Sequence, residues 1–278
     1  MIIKLNGADF SKNNIGKITI HRELSDFAKA VFEKYTKSMS VDKKYAFDAF
    51  VDEMKKSGVW GKVSKLYIPA LAGAVGEMLL NIKTLEVDAV PSSMYTLSDG
   101  GIVKGAGTGD AIVSINASQQ NLHMLAFNTT EIPTGRTASM ELFGNLVSSD
   151  GSNFNMVRVQ IGADNITVVS TAVNSSIKNV SLTAPNEYFD RGIGFKGVSQ
   201  TTLGNIALGY GERTALNTNP IDTDGTYTYF QVRLLGYPNK SDAIPASWGI
   251  LSIGSGLSLA ECLAYDASAK KFMKSVLS

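Results

Sequence analysis

A chain of 278 residues, 44% hydrophobic and 18% charged, is long enough to bury one large core, or one large and one small. No run approaches the roughly 20 apolar residues that span a bilayer, and Met1 to Phe10 lacks the basic, apolar and cleavage regions of a secretory signal, so neither membrane insertion nor an export address is expected. A net charge of +1 supplies no field to gather phosphate backbones, and nucleic acid drops out of the expected partners. Cys262 is the single cysteine, which excludes an intrachain disulfide and any cysteine-based metal cluster within one chain.

Ile2, Ile3 and Leu5, then Ile15, Ile18 and Ile20, read as two short extended segments around a polar turn at Ser11 to Asn14. Such a pair is not stable alone, and must lie against the rest of the chain or a partner. Between Glu23 and Ser38 the apolar residues Leu24, Phe27, Ala28, Val31 and Tyr35 recur at spacings of three and four, which predicts a helix with one buried stripe. A second helix follows, capped by Ser40 or Asp42, with Ala46, Phe47, Phe50, Val51 and Met54 as its stripe and Gly58 placed to relieve left-handed strain at its end. A third, short helix is predicted around Trp60 to Tyr67, stopping ahead of Pro69.

From about Asn81 the composition shifts to Gly, Ser, Thr and Asn between short apolar runs, and the hydrophobic period falls towards two. Ala111 to Ile115 and Asn155 to Ile161 show it. Asp150-Gly151 and Asp224-Gly225 each precede a β-rich run and read as hairpin turns. With no helix-length crossover between strands, the sheets are expected to be antiparallel, a sandwich or jelly roll. The chain ends in a short helix, where Ser258 and Glu261 have the spacing of a capping box and Leu259, Leu263, Phe272 and Val276 offer apolar contacts.

Candidate chemistry is sparse. Asp222 and Asp224 are carboxylates that suit calcium, but the further ligands and closing glutamate of a calcium loop are missing, and a turn is the better reading. Gly105 to Gly109 is glycine-rich yet runs into a strand, whereas a phosphate loop must open a helix. His123 lies in a β-like run without a partner histidine or a nucleophile motif, and reads as a core histidine. Cys262 falls on the inner side of the last helix, as a small buried apolar residue.

Asn-X-Ser/Thr triplets begin at Asn116, Asn128, Asn165, Asn174, Asn179 and Asn239, and without a secretory signal they reflect composition. Glu131, Glu141, Asp164, Glu187 and Glu212 are carboxylates of the right type for glycan hydrolysis, but spacing does not pair them. Tyr210, Tyr227, Tyr229, Tyr237 and Trp248 could line a sugar-stacking face, against the commoner role of a strand aromatic as core. No cofactor or metal ligand set is expected.

Several stretches resemble a family of bacteriophage virion proteins of the tail-fibre or head-fibre type, with a concanavalin-like (laminin-G-like) sandwich. Phe47-Asp48-Ala49-Phe50-Val51, Gly58-Val59-Trp60-Gly61-Lys62 and Tyr67-Ile68-Pro69 are similar to that family's helix, its Gly-hydrophobic-Trp joint and its Tyr-X-Pro exit. Leu80-Asn81-Ile82-Lys83, Gly100-Gly101, Asn121-Leu122-His123 and Ser252-Ile253-Gly254-Ser255-Gly256-Leu257-Ser258 through Phe272 continue the pattern, which covers roughly residues 45–278. Asn6, Gly7, Ala8, Asp9 and Phe10 with Ser11 resemble the start of fibre proteins in phages of gut Bacteroidales.

The resemblance implies an α+β, mainly β fold: residues 1–22 docking to other virion proteins, a helical region at 23–80, and a concanavalin-like or jelly-roll sandwich at 81–278. It supplies no catalytic residues. The expectation is therefore a non-enzymatic virion component, made in the bacterial host cytoplasm and displayed as a homodimer or homotrimer. Host-surface glycans are a possible partner, with Tyr237 and Trp248 as their contacts. A lectin-like module without a virion role, or a glycan hydrolase on the same fold, are the rivals.

Overall fold

The computed structural model describes residues 23–105, 111–116, 121–133, 140–144, 147–148, 154–161, 166–171, 179–180, 192–201, 204–208, 215–217, 229–235 and 244–278. In chain order the elements are α1 (Asp26–Phe32), α2 (Val41–Lys56), α3 (Val59–Lys62), β1 (Val63–Tyr67), β2 (Leu80–Asn81), β3 (Glu86–Val87), β4 (Tyr95–Ser98), β5 (Gly101–Lys104), β6 (Ile112–Asn116) and β7 (Leu122–Asn128). Then come β8 (Met140–Gly144), β9 (Val147–Ser148), β10 (Phe154–Ile161), β11 (Ile166–Thr171), β12 (Asn179–Val180), β13 (Gly194–Thr201), β14 (Gly204–Leu208), β15 (Ala215–Asn217), β16 (Tyr229–Leu234), β17 (Ile244–Gly254) and α4 (Leu259–Leu277).

Among the described residues the strands form two antiparallel sheets. The first runs β15-β14-β13-β7-β17-β1-β2-β3, with β5 also on β17 and β4 on β5; the second runs β12-β11-β10-β8-β16-β6, with β9 on β10. The sandwich is stitched between layers by Tyr95 of β4, whose buried hydroxyl donates to the Leu234 carbonyl of β16 at 2.9 Å. Strand β17 is the spine of the first sheet, pairing with β7, β1 and β5.

The helices cover the other face of the first sheet. Ser40 caps α2, its hydroxyl accepting from Lys43 N, and Phe47, Phe50, Val51 and Met54 are buried on the predicted stripe. A ladder of rings ties this layer to the sheet: Phe50 stacks on Phe272 at 4.9 Å, Tyr265 meets Phe195 of β13 at 4.6 Å, and Phe195 meets Phe127 of β7 edge-on at 5.2 Å. Each such ring, taken out of water, contributes on the order of 1.5–3 kcal/mol.

Because helices lie on one side and the second sheet on the other, β7 is buried at every position and β13 at all but its last. This departs from the alternation expected of a two-layered shell, since a strand covered on both faces no longer needs a polar side.

Three further expectations are corrected. The first helix ends at Phe32 rather than Ser38: the chain turns away where Glu77 accepts from Thr36 N at 3.1 Å, although Tyr35 still packs into the core. Only Val59–Lys62 is helical in the third segment; Val63–Tyr67 is a strand paired with β17, so the boundary expected at residue 80 falls inside the first sheet. The last helix is not short. It spans 19 residues and turns Cys262, Tyr265, Ala269, Phe272, Met273 and Val276 inward, leaving Leu259 and Leu263 exposed.

Candidate functional site

Three of the stretches that carry the sequence resemblance, Gly58 to Lys62, Asn121 to His123 and Ser252 to Glu261, meet at one joint where α3, β7, β17 and the start of α4 converge. Ser255 N donates to the Lys62 carbonyl at 2.8 Å. The Lys62 ammonium donates to Glu261 at 2.6 Å, and Glu261 also closes the capping box with Ser258. Gly256 N donates to Asn121 Oδ1 at 2.8 Å, and a Cβ at Gly256 would lie against the Gln200 carbonyl, so only glycine lets the two backbones approach. Gly58 adopts φ +80, the left-handed turn expected at the end of α2.

His123 sits at the centre of this joint. Its Nδ1 lies 2.6 Å from the Ser255 carbonyl and its Nε2 2.9 Å from the Ser252 hydroxyl. A carbonyl only accepts, so Nδ1 carries the hydrogen and Nε2 accepts from Ser252 in the neutral ring. Burial pushes the His123 pKa down to about 4, which keeps that tautomer uncharged at neutral pH. Ser252 and His123 have the spacing of a nucleophile and base, but both are fully buried. Their chemistry is to hold the loop, because a substrate cannot reach them.

Cys262 is also buried, and burial pushes its thiol up to about 12, far from the thiolate that a nucleophile needs.

A second cluster lies at the surface, where α1, α2 and α3 meet the turn after β2. Phe27 packs edge-on against Trp60 at 5.3 Å, and Phe27 and Phe32 both contact Phe47. Trp60 and Phe27 are half-buried while Lys55 is exposed. The Lys83 ammonium sits 3.9 Å from the centre of the Trp60 ring and donates to the Trp60 carbonyl at 2.7 Å. The Lys55 ammonium lies 5.9 Å from the same ring and 5.8 Å from Phe27.

Burial, and then the neighbouring Lys55 charge, hold Lys83 below the usual lysine range. A Cβ at Gly61, the residue after Trp60 in sequence, would meet nothing within 4 Å, so the surface is open at that backbone position. The two lysines are 28 residues apart in sequence and the rings come from separate helices, so no local spacing announced this cluster.

Between α2 and α4 runs a groove of about 330 Å³ lined by Tyr45, Ala49, Phe50, Glu53, Lys271 and Phe272 among others. That is the low end of small-molecule pockets. Glu53 and Lys271 pair across it at 2.7 Å.

Trp248, expected as a glycan contact, is corrected: it is fully buried in the core of β17 and presents no face to solvent. Asn128 is buried too, its amide donating to the carbonyls of Thr130 and Gly192, so that triplet cannot accept a sugar. Glu131 is exposed, and Glu141 lies on β8 across from Gln160 of β10. Tyr229 opens β16. The candidate docking residues Asn6, Gly7, Ala8, Asp9 and Phe10 lie outside the described residues, as do His21, Tyr210, Tyr227, Tyr237, Asp164, Glu187, Glu212, Asp222 and Asp224. Among the described residues no group of three or more His, Cys, Asp or Glu side chains is placed to hold a metal, and no helix is long and apolar enough to cross a membrane.

No family model and no curated protein sequence matches this chain. Solved structures do match by fold. A Trypanosoma rangeli sialidase aligns at 10% identity with a TM-score of 0.51, covering 83% of this chain and 40% of the sialidase. A mutant of HCR/D aligns at 10% identity and TM-score 0.51, covering 74% of this chain and 51% of its own. Bacillus licheniformis β-glucanase aligns over 59% of this chain with a TM-score of 0.36. The chain thus spans about half or less of the length of the first two.

The likeness is one of fold, an antiparallel sandwich. It corrects the expectation that the chain is not an enzyme: a sialidase contains this fold, so the sandwich gives no ground for excluding glycan chemistry.

Proposed function

We propose that this chain is a bacteriophage virion component of the fibre type, which presents its β-sandwich to glycans on the host surface. The observation that supports the virion reading best is the joint itself. Gly58 to Lys62, Asn121 to His123 and Ser252 to Glu261 carry the resemblance to fibre proteins, and they are the segments that meet there through Ser255 N, Gly256 N and the Lys62 to Glu261 pair. Residues 1–22 then dock the chain to other virion proteins, and the sandwich is displayed as a homodimer or homotrimer.

The glycan half of the reading is supported by the sandwich shared with a sialidase and by a surface where lysines meet aromatic rings. The test has two parts. Mass spectrometry of purified particles should find this chain in stoichiometric amount, and deletion of residues 1–20 should leave the sandwich folded while abolishing incorporation. Absence from particles, or normal incorporation of the deleted chain, would end the virion role. The folded protein should also bind a subset of glycans on an array of bacterial surface sugars; no binding at high concentration would remove the glycan role.

A second reading, glycan hydrolysis, is favoured by the same sialidase fold. A turnover assay on the glycans retained by the array decides it, with released sugar promoting hydrolysis over simple attachment.

A further inference from the structure

We propose that the surface formed by Trp60, Phe27, Lys55 and Lys83 is a binding site for an acidic sugar, one that carries a carboxylate on its ring. The inference rests on the glycan-binding reading and adds to it a place and a ligand class.

Lys55 and Lys83 reach the same indole from different elements, at 5.9 and 3.9 Å from its centre. Neither is paired with a carboxylate among the described residues, whereas Lys62 pairs with Glu261, Lys65 with Asp88 and Lys271 with Glu53. Bringing two ammonium groups together over a partly desolvated ring raises their free energy, and an anion seated between them offsets it. Lys83 spends one donor on the Trp60 carbonyl, which fixes the ammonium in place and leaves two of its three N–H groups for a ligand.

The rings select the rest of the ligand. A bare anion would need only the lysines, whereas the half-buried Trp60 and Phe27 meet edge-on and offer an apolar wall on which the C–H face of a pyranose can lie. The neighbouring backbone position, Gly61, is open to solvent. A carboxylated sugar satisfies both halves of the surface, placing its carboxylate at the ammonium groups and its ring against the aromatics. The groove between α2 and α4 lacks this property, since its one lysine and one glutamate already neutralise each other. The joint around His123 is sealed.

The chain has two tryptophans, and Trp248 is fully buried, so ligand-dependent change in fluorescence reports on Trp60. The purified full chain is titrated with galacturonic acid and N-acetylneuraminic acid, with galactose as neutral control and inorganic phosphate as anion control. The expected result is a saturable change with at least one acidic sugar and none with galactose or phosphate. Affinity should fall roughly tenfold or more in the Lys55→Gln, Lys83→Gln double variant, as loss of charge-assisted hydrogen bonds demands. Lys55 is exposed and Lys83 half-buried, so the unfolding transition of the variant is compared with that of the wild type before affinities are read.

No response to either acidic sugar, an equal response to galactose or phosphate, or unchanged affinity in the double variant would overturn the site. The two readings separate on the glycan array. Array binding that survives the double variant retires this site and leaves glycan binding standing, whereas an array without binding retires both.

Discussion

The Lys62 ammonium donates to the Glu261 carboxylate at 2.6 Å across 199 residues of sequence, tying the segment that enters the first sheet to the helix that closes the chain. Glu261 also accepts from Ser258 N at 2.7 Å. Burial would pull its pKa up, but these hydrogen bonds outweigh it and hold the carboxyl below its ordinary value. A carboxylate with a lowered native pKa stabilises the fold above the unfolded value of 4.5, and that contribution is lost as pH falls through the native value. Glu261→Gln should therefore cost about 1 kcal/mol at pH 7, the weight of a cap plus a half-exposed ion pair. Urea unfolding of the two proteins should show the gap close on acidification below pH 4.5; a gap that persists there would mean the charge is not its source.

His123 acts in the same sense, over a higher pH window. Its native pKa is near 4 against 6.5 when unfolded, so between those values the unfolded chain binds a proton that the native ring refuses. Stability should decline as pH falls from 6.5 to 4, by up to roughly 3 kcal/mol from this one residue. His123→Gln should be less stable at pH 7, because Ser252 and the Ser255 carbonyl lose a well-placed partner, and its stability should be flatter across that window. Proton-exchange NMR of the wild-type ring offers a direct check: titration near pH 6.5 would contradict the buried, neutral tautomer.

The ladder of rings from α2 to β7 makes a graded test of the helix layer. Phe272 is 1% exposed and touches both Phe47 and Phe50. Phe272→Ala should cost about 3–5 kcal/mol, read as a lower urea midpoint at unchanged slope. Leu263, on the same helix but 51% exposed, should tolerate alanine within about 0.5 kcal/mol. Similar losses at the two positions would mean that α4 packs with another face inward.

Most of the architecture was legible in the sequence, and its failures have physical causes. Ser258 and Glu261 announced the last helix because a capping box is a local device, and Phe47, Phe50, Val51 and Met54 announced α2 because its stripe is buried on one side only. Val63, Leu66 and Tyr67 misled, since with Trp60 their spacings of three and four are those of a helix. They form a strand because β17 offers hydrogen bonds along Val63–Tyr67, where Val63, Leu66 and Tyr67 are buried while Ser64 stays exposed. Trp248 failed as a sugar platform because β17 runs inside the first sheet, between β7 and β1, and the ring is fully buried there. The Trp60 surface was invisible because its rings and lysines converge only after three helices and a turn are in place.

Cys262 allows the layer over the first sheet to be watched opening. It is the only thiol in the chain, lies on the buried side of α4, and has its pKa pushed up to about 12, so the native protein should resist a thiolate-seeking reagent such as Ellman's at pH 8. Labelling then proceeds only through states in which α4 leaves the sheet, and its rate follows their population. If α4 opens with the whole fold, Phe272→Ala should speed labelling roughly a hundredfold or more while Leu263→Ala leaves it unchanged. Fast labelling of the wild type under native conditions would show that α4 detaches on its own, and would uncouple the ring ladder from the stability of the sandwich.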